Sequence, residues 1–209
     1  MQILLVGDST VTDFDGWGPG FRARLVPGTE CLNHAMGGRS SKSYRDEGFW
    51  DKALATRADH VLIQFGHNDQ PGKGPERETD PETEYAANLA RYVTEARAAG
   101  MRPALVTSLT RRDFDERSDR LRDTLGPWVV AARRVAAEQS APLIDLHAAS
   151  TRLCTALGPA VCALLSPHRS DGAVDATHLN AAGAARFGGL VADLAREAVP
   201  ELRPWLAPA

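Results

Sequence analysis

The stretch QILLVGDST, residues 2–10, decides how the chain can fold. Its first five residues form a mainly aliphatic run that ends at Gly7, which is typical of a strand buried on both faces of a parallel sheet. The polar residues Asp8, Ser9 and Thr10 follow at the carboxyl end of that strand, where open α/β sheets collect their functional groups. Ser9 could cap a following helix or act as a nucleophile, and this stretch alone does not decide between the two roles.

The same kind of run recurs along the chain, with helical patterns between the runs. Further strands are expected at 60–65, 103–109 and 141–146, and a weaker one at 29–34. Helices are expected after Trp17 and at 41–55, 81–99, 118–139 and 180–198, with a kink or break at Pro127 and a cap at Asn180. Five strands that alternate with helices predict a single three-layer α/β/α domain that spans residues 1–209.

Composition narrows the classes of function. The net charge of -3 and the pI near 6.1 give no sign of nucleic-acid binding. No apolar run approaches the ~20 residues that a membrane span needs. No signal-peptide pattern precedes the first strand, so we expect a cytoplasmic protein, although a secreted protein trimmed of its signal would have the same sequence. Walker A, HExxH and GxGxxG strings are absent, so we expect no nucleotide cofactor and no catalytic metal.

The three cysteines, Cys31, Cys154 and Cys162, form no CxxC pair of the kind that binds metals or performs redox chemistry. Gly158-Pro159 should break any helix between Cys154 and Cys162, so a disulfide between these two remains open. We favour three free thiols in a reducing compartment. The sequence does not indicate an oligomeric state.

Four polar segments, three at predicted strand ends and one before the last helix, contain the groups needed for acyl transfer. The segments are GDST (7–10), NHAMGGRSSKSY (33–44), GHNDQ (66–70) and DGAVDATHLN (171–180). They supply a hydroxyl, a Gly-Gly backbone turn, a side-chain amide, a carboxylate and an imidazole, which suit a nucleophile, oxyanion donors, an orienting acid and a base. In DATH, a spacing of three on a helical turn would bring the carboxylate and the imidazole to one face.

These segments, together with GWG (16–18), resemble the sequence blocks of the SGNH (GDSL-type) hydrolase superfamily. The features GGRSSKSY (37–44) and DATHLNAAGA (175–184) are most similar to its rhamnogalacturonan acetylesterase branch. The blocks occur in the family's order and are spread over most of the chain. The resemblance implies a flavodoxin-like sheet of five parallel strands that carries a Ser-His-Asp triad and removes O-acetyl groups from carbohydrate, without a cofactor.

The resemblance also implies a role for five residues, carried over by position. Ser9 would be the nucleophile, His178 the base and Asp175 the acid that orients the base. The oxyanion hole would comprise the backbone N–H groups of Ser9 and Gly38 and the side-chain amide of Asn68. The residue types fit these roles, since a glycine lets a backbone N–H approach the oxyanion without a Cβ in the way, and an amide is a donor that needs no ionisation.

Substrate-binding residues are harder to identify. Five basic residues follow the second and fourth strands: Arg39, Lys42, Arg45, Arg111 and Arg112. If they face the cleft they could bind a uronate carboxylate, with arginine forming bidentate pairs, but a solvated surface explains them equally well. Trp17 or Trp50 could stack on a sugar face, although core packing fits both.

The prediction is a serine esterase that deacetylates a carbohydrate, in particular a rhamnogalacturonan (pectic) oligosaccharide, and that binds neither nucleic acid nor membrane. Another SGNH activity is the first alternative: a xylan or sialate O-acetylesterase, a thioesterase or a lysophospholipase. A non-catalytic carbohydrate-binding protein on the same fold is the second. The sequence has no long apolar lid segment, which argues against a long-chain lipase.

Overall fold

The computed structural model describes residues 1–208, and within them the chain forms a parallel sheet of five strands. The strands are β1 (Gln2–Gly7), β2 (Glu30–Asn33), β3 (His60–Gln64), β4 (Arg102–Val106) and β5 (Leu143–Ile144). Their order across the sheet is β2-β1-β3-β4-β5, which is the order of flavodoxin-like folds and places a switch point beside β1. The predicted α/β class and parallel sheet are therefore confirmed.

Helices cover both faces of the sheet. They are α1 (Gly18–Arg22), α2 (Ser43–Asp46), α3 (Phe49–Leu54), α4 (Ala86–Ala98), α5 (Gly126–Glu138), α6 (Leu146–Ala163) and α7 (Ala181–Ala198). A π-helical turn, Pro81–Tyr85, leads into α4, and a 3-10 helix, Pro200–Trp205, follows α7. Within residues 1–208 no helix is both long enough and apolar enough to cross a bilayer.

The interior strand β1 explains why the apolar runs form a three-layer structure. Leu4 and Val6 belong to the core between the sheet and helices α3, α4 and α5, whereas Ile3 and Leu5 belong to the core between the sheet and helices α1, α6 and α7. All four side chains are fully buried. Burying each side chain stabilises the fold by roughly 1.5–3 kcal/mol, and both layers of helices are needed to bury all four.

Two predicted helices are shorter than expected. The segment 41–55 is split by Gly48, whose φ of 75° suits glycine, so α2 and α3 are separate. The segment 118–139 is helical only from Gly126, and Pro127 lies in the first turn of α5. A proline there starts a helix, because the N–H that it lacks would have no partner in the first turn.

Helix α6 was not predicted, and it shortens the expected strand at 141–146. The side chain of Asp145 accepts a hydrogen bond from the Ala148 N–H, and this cap starts the helix directly after the two residues of β5. Gly158, with φ 72° and ψ 172°, interrupts α6 at the expected breaking point. Cys154 and Cys162 lie buried on either side of this kink, and both are free thiols, as is Cys31.

Helices α1 and α7 pack in direct backbone contact at two glycines. A Cβ on Gly20 would lie 2.0 Å from the Ala184 carbonyl oxygen, and a Cβ on Gly188 would lie 2.3 Å from the Phe21 nitrogen. Only glycine allows this approach at either position. Because α1 follows the turn after β1 and α7 follows the loop that carries Asp175 and His178, this contact holds these two segments next to each other.

Candidate active site

The polar segments predicted from the sequence meet at the carboxyl edge of the sheet. Ser9 lies in a tight turn after β1, in which the Val11 N–H donates to the Asp8 carbonyl over 3.1 Å. Helix α1 begins only at Gly18. The expectation that Ser9 caps a helix is therefore wrong, and no helix start lies against its hydroxyl.

An unbroken chain of hydrogen bonds joins the three residues expected to form the triad. The Ser9 hydroxyl oxygen lies 2.9 Å from His178 Nε2, and His178 Nδ1 lies 2.8 Å from Asp175 Oδ2. The imidazole is about one-third exposed and the carboxylate about one-quarter, so the site opens toward solvent. If Asp175 accepts from the Nδ1 proton, the Nε2 lone pair is free to accept a proton from Ser9.

Asp175 holds both the side chain and the backbone of the histidine. Its Oδ1 accepts hydrogen bonds from the Thr177 N–H at 2.8 Å and from the His178 N–H at 3.1 Å. Residues 175–178 form a bend rather than the helical turn expected from their spacing. Partial burial alone would raise the pKa of Asp175, but the hydrogen bonds from His178 and Thr177 outweigh it and lower the pKa to about 2.

Two backbone N–H groups beside Ser9 are available to an oxyanion. Within residues 1–208 neither the Ser9 N–H nor the Gly38 N–H donates a hydrogen bond. A Cβ on Gly37 would lie 3.7 Å from the Ser9 Cβ, which places the Gly-Gly turn beside the hydroxyl. Gly38 has a φ of 77°, a conformation that favours glycine.

Asn68 lies next to this turn and is nearly buried. Its Nδ2 donates to the Arg39 carbonyl oxygen over 3.1 Å, so the amide is tied to the loop that carries Gly38. Since an amide nitrogen has two protons, one remains for an oxyanion. The structure thus brings together all five residues that the sequence analysis assigned to the triad and the oxyanion hole.

A buried carboxylate, Asp69, holds the loop that carries Gly38. Asp69 Oδ1 accepts hydrogen bonds from the Ser41 hydroxyl at 2.6 Å and from the Thr79 hydroxyl at 2.9 Å, and it also accepts from the Ser41 N–H. Burial raises the pKa of Asp69 to about 7, despite these donors. The sequence analysis did not identify this residue, because Asn-Asp is also the ordinary composition of a turn.

A second buried network supports the serine turn. The Trp17 indole N–H donates to Gln64 at 2.9 Å, Gln64 donates to the Thr10 hydroxyl, and that hydroxyl donates to Asp8 at 2.7 Å. Trp17 is fully buried in this network. The prediction that Trp17 contacts substrate is therefore wrong, and core packing explains the residue.

The buried carboxylate of Asp8, next to Ser9, has a histidine neighbour. His67 Nδ1 lies 3.4 Å from Asp8 Oδ2, and both side chains are enclosed. Burial tends to raise the pKa of Asp8, but His67 and the hydrogen bonds from Thr10 outweigh it and hold the pKa below its usual value. A charged carboxylate thus lies next to Ser9.

The three basic residues that follow Gly38 each pair with a carboxylate. The nearest nitrogen–oxygen distances are 2.7 Å for Arg39 to Glu47, 3.3 Å for Lys42 to Glu84 and 2.8 Å for Arg45 to Glu95. Arg45 is nearly buried by its pair, so the expectation that it binds substrate is corrected: it attaches α2 to α4. Arg39 and Lys42 remain partly exposed, and their substrate role stays a prediction.

The two arginines after β4 have different environments. Arg112 is buried, and it donates to the His178 carbonyl oxygen and, at 2.8 Å, to the Ser166 hydroxyl. It therefore braces the histidine loop and does not face the cleft. Arg111 is half-buried and donates to Thr177, the residue before His178. Within residues 1–208 no cluster of three or more His, Cys, Asp or Glu side chains could hold a metal ion.

Comparisons with known proteins place the chain in a family. Residues 5–186 match the model of the GDSL-like Lipase/Acylhydrolase family. The chain is 37% identical to the rhamnogalacturonan acetylesterase RhgT of Bacillus subtilis, over 92% of this chain and 88% of that protein. It is 34% identical to the probable rhamnogalacturonan acetylesterase YesY of the same organism, over 91% and 90% of the two chains.

A solved structure extends the similarity to the fold. The acetylxylan esterase Axe2 of Geobacillus stearothermophilus superposes with a TM-score of 0.69 at 20% identity, over 95% of this chain and 94% of that one. At this identity the likeness concerns the fold alone. The match to the family model covers most of the chain, and the two bacterial relatives align along nearly their whole length. The chain therefore belongs to the GDSL-like lipase/acylhydrolase family.

Proposed function

We propose that this protein is a serine esterase that removes acetyl groups from carbohydrate, with acetylated rhamnogalacturonan oligosaccharides as its substrates. One observation carries the proposal: Asp175, His178 and Ser9 form a continuous hydrogen-bonded chain that ends beside two N–H groups without an acceptor. Such an arrangement combines an activated nucleophile with donors for a developing oxyanion, which is what acyl transfer requires.

The reaction follows from the positions of these groups. Ser9 Oγ attacks the acetyl carbonyl while His178 Nε2 accepts the hydroxyl proton, and the Asp175 carboxylate stabilises the resulting imidazolium. The Ser9 and Gly38 N–H groups and the Asn68 amide donate to the oxyanion. When the tetrahedral intermediate collapses, His178 gives its proton to the sugar alkoxide and an acetyl-serine remains. Water that loses a proton to the same imidazole then attacks the acetyl-serine, and His178 returns this proton to Ser9 Oγ as the ester bond breaks and acetate leaves.

The acyl group and the alcohol are both inferred from the two bacterial relatives. RhgT is named a rhamnogalacturonan acetylesterase and YesY a probable one, and each aligns with about nine-tenths of this chain. These relatives support acetate as the acid and a pectic sugar as the alcohol.

Acetate release from a panel of substrates tests the proposal. The panel contains acetylated rhamnogalacturonan oligosaccharides, acetylated xylo-oligosaccharides, and 4-nitrophenyl acetate and octanoate. We expect the highest kcat/KM among the oligosaccharides for the rhamnogalacturonan substrate, and higher kcat/KM for the acetate than for the octanoate. Faster release from the xylan substrate would contradict the pectic assignment, and faster cleavage of the octanoate would contradict the acetylesterase assignment.

A further inference from the structure

Arg111 occupies a distinctive place at the rim of the site. It follows β4, and its guanidinium bridges the two catalytic turns, since Nε donates to Thr177 at 3.3 Å and Nη1 donates to Gln70 at 2.7 Å. Thr177 precedes the catalytic histidine, and Gln70 is two residues beyond Asn68. The positive charge is therefore held between the base and the oxyanion amide.

The hydrogen bonds of Arg111 orient its guanidinium without neutralising it. Every side-chain acceptor is a neutral oxygen, because the third partner is the Thr124 hydroxyl at 3.0 Å from Nη1. These bonds use the Nε proton and both Nη1 protons. Within residues 1–208 Nη2 donates no hydrogen bond, and it is not among the enclosed polar atoms that lack a partner. Nη2 therefore retains two protons for an acceptor supplied by a ligand.

Among residues 1–208 no carboxylate lies within ion-pair distance of this guanidinium. Three acidic side chains attract it from beyond ion-pair distance, and each is already engaged: Asp8 with Thr10, Asp113 with Arg122, and Asp175 with His178. Arg39, Lys42 and Arg45, by contrast, each have an acidic partner within 4.0 Å. Because none of these carboxylates contacts the half-buried guanidinium, a ligand that brings an anion into contact with it would be favoured.

We infer that Arg111 is a specificity-determining residue that binds a carboxylate of the substrate, so that the enzyme selects acetyl esters of uronate-containing sugars over neutral ones. The inference rests on the proposed esterase function and deepens it. The fixed orientation of the guanidinium limits the entropy lost on binding, and its partial removal from water strengthens the pairing relative to an exposed arginine. The sugar carboxylate would lie beside Thr177, next to the imidazole that protonates the leaving alkoxide.

The test compares two substrates that differ only in this carboxylate. One is an acetylated galacturonate-containing oligosaccharide, and the other is the same oligosaccharide with its carboxylates converted to methyl esters. The readout is the ratio of the two kcat/KM values for acetate release, measured for the native protein and for Arg111→Gln. Arg117→Gln is the matched control, since it removes the same charge from an exposed position of the same segment.

We expect the native protein and Arg117→Gln to prefer the free carboxylate by roughly 10- to 100-fold, as for a charge-assisted hydrogen bond, and Arg111→Gln to lose this preference. Arg111→Lys should keep part of it, because the charge remains while the oriented fork is lost. Equal rates on both substrates with the native protein would overturn the inference. An unchanged ratio in Arg111→Gln would also overturn it, because Arg111 would then only connect the two turns.

Hydrolysis of 4-nitrophenyl acetate separates this inference from the proposed function. A protein that cleaves this ester but does not discriminate between the two oligosaccharides is an esterase without carboxylate recognition. A protein that cleaves none of the three substrates is not the proposed acetylesterase, and the inference fails with it.

Discussion

The imidazole of His178 lies 2.9 Å from the hydroxyl of Ser9, although 169 residues separate the two along the chain. The short distance depends on the packing of α1 on α7, because these helices adjoin the two segments that carry the residues. The bond is therefore a product of the whole fold, and changes far from the site should affect it.

Gly188→Ala tests this dependence. The new methyl group would lie 2.4 Å from the Trp17 carbonyl oxygen and 2.3 Å from the Phe21 nitrogen, and backbone atoms cannot move aside easily. We expect a loss of roughly 1–3 kcal/mol or more in the free energy of unfolding, measured by urea denaturation, together with reduced esterase activity.

Gly189→Ala is the matched control for this prediction. Its methyl group would meet only the flexible tip of Arg24 at 3.5 Å. Alanine is the better helix former, so this variant should be more stable than the native protein by roughly 0.5–1 kcal/mol. Equal stability of the two variants would show that the close contact between α1 and α7 does not contribute to the free energy of unfolding.

Asp175→Asn tests the charge of the orienting acid. The pKa of Asp175 is about 2, so the carboxylate is ionised wherever the enzyme is assayed near neutrality. The amide has nearly the same shape but cannot stabilise the imidazolium, and we expect kcat/KM on an acetyl ester to fall by about 10⁴-fold. Asp171→Asn removes a charge from an exposed position of the same loop and should retain activity. An Asp175→Asn variant as active as this control would exclude the assigned role.

Asn68→Ala tests the side-chain part of the oxyanion hole. Removing one donor should lower kcat by roughly 10²–10³-fold while KM changes little, because the donor acts mainly on the transition state. Asn68→Asp should be slower still, since a carboxylate would face the developing negative charge. A kcat within a few-fold of the native value in both variants would remove Asn68 from the oxyanion hole.

Asp69 predicts a specific pH dependence of stability. Its pKa is raised in the folded protein from 3.8 to about 7, so the folded state binds this proton more tightly than the unfolded state. The contribution of Asp69 to the free energy of unfolding is complete below about pH 4. It decreases as the pH rises to about 7, by up to about 4 kcal/mol.

Asp69→Asn isolates this contribution. The asparagine oxygen can still accept from Ser41 and Thr79, but it cannot ionise. Urea denaturation at pH 4, 5.5 and 7 should show the native protein losing stability relative to the variant as the pH rises. A constant difference between the two proteins across this range would contradict the raised pKa.

The sequence predicted most of the sheet and the reactive groups because both depend on local patterns. The run before Gly7 is apolar enough to be buried on both faces, and the spacing of Asp175 and His178 lets one carboxylate reach both the ring and the backbone. Gly38 was assigned through the resemblance to the SGNH family, and its φ of 77° favours glycine.

Other features depend on contacts between distant segments, and sequence patterns do not reveal these. Sugar stacking and core packing were both open for Trp17, and the hydrogen bond from its indole N–H to Gln64 of β3 places it in the core. Arg111 and Arg112 are adjacent, yet one lies on the rim and the other is buried against His178, a difference set by the loop on which they pack. Helix α6 was missed because Gly158-Pro159 obscures its helical pattern.

Acetate release by Ser9→Ala tests the central claim most directly. The assay uses acetylated rhamnogalacturonan oligosaccharides, with Ser170→Ala, an exposed serine, as the matched control and circular dichroism to verify folding. The account predicts that Ser9→Ala loses at least about 10³-fold in kcat/KM, whereas Ser170→Ala retains native activity. A folded Ser9→Ala protein that releases acetate within tenfold of the native rate would contradict it.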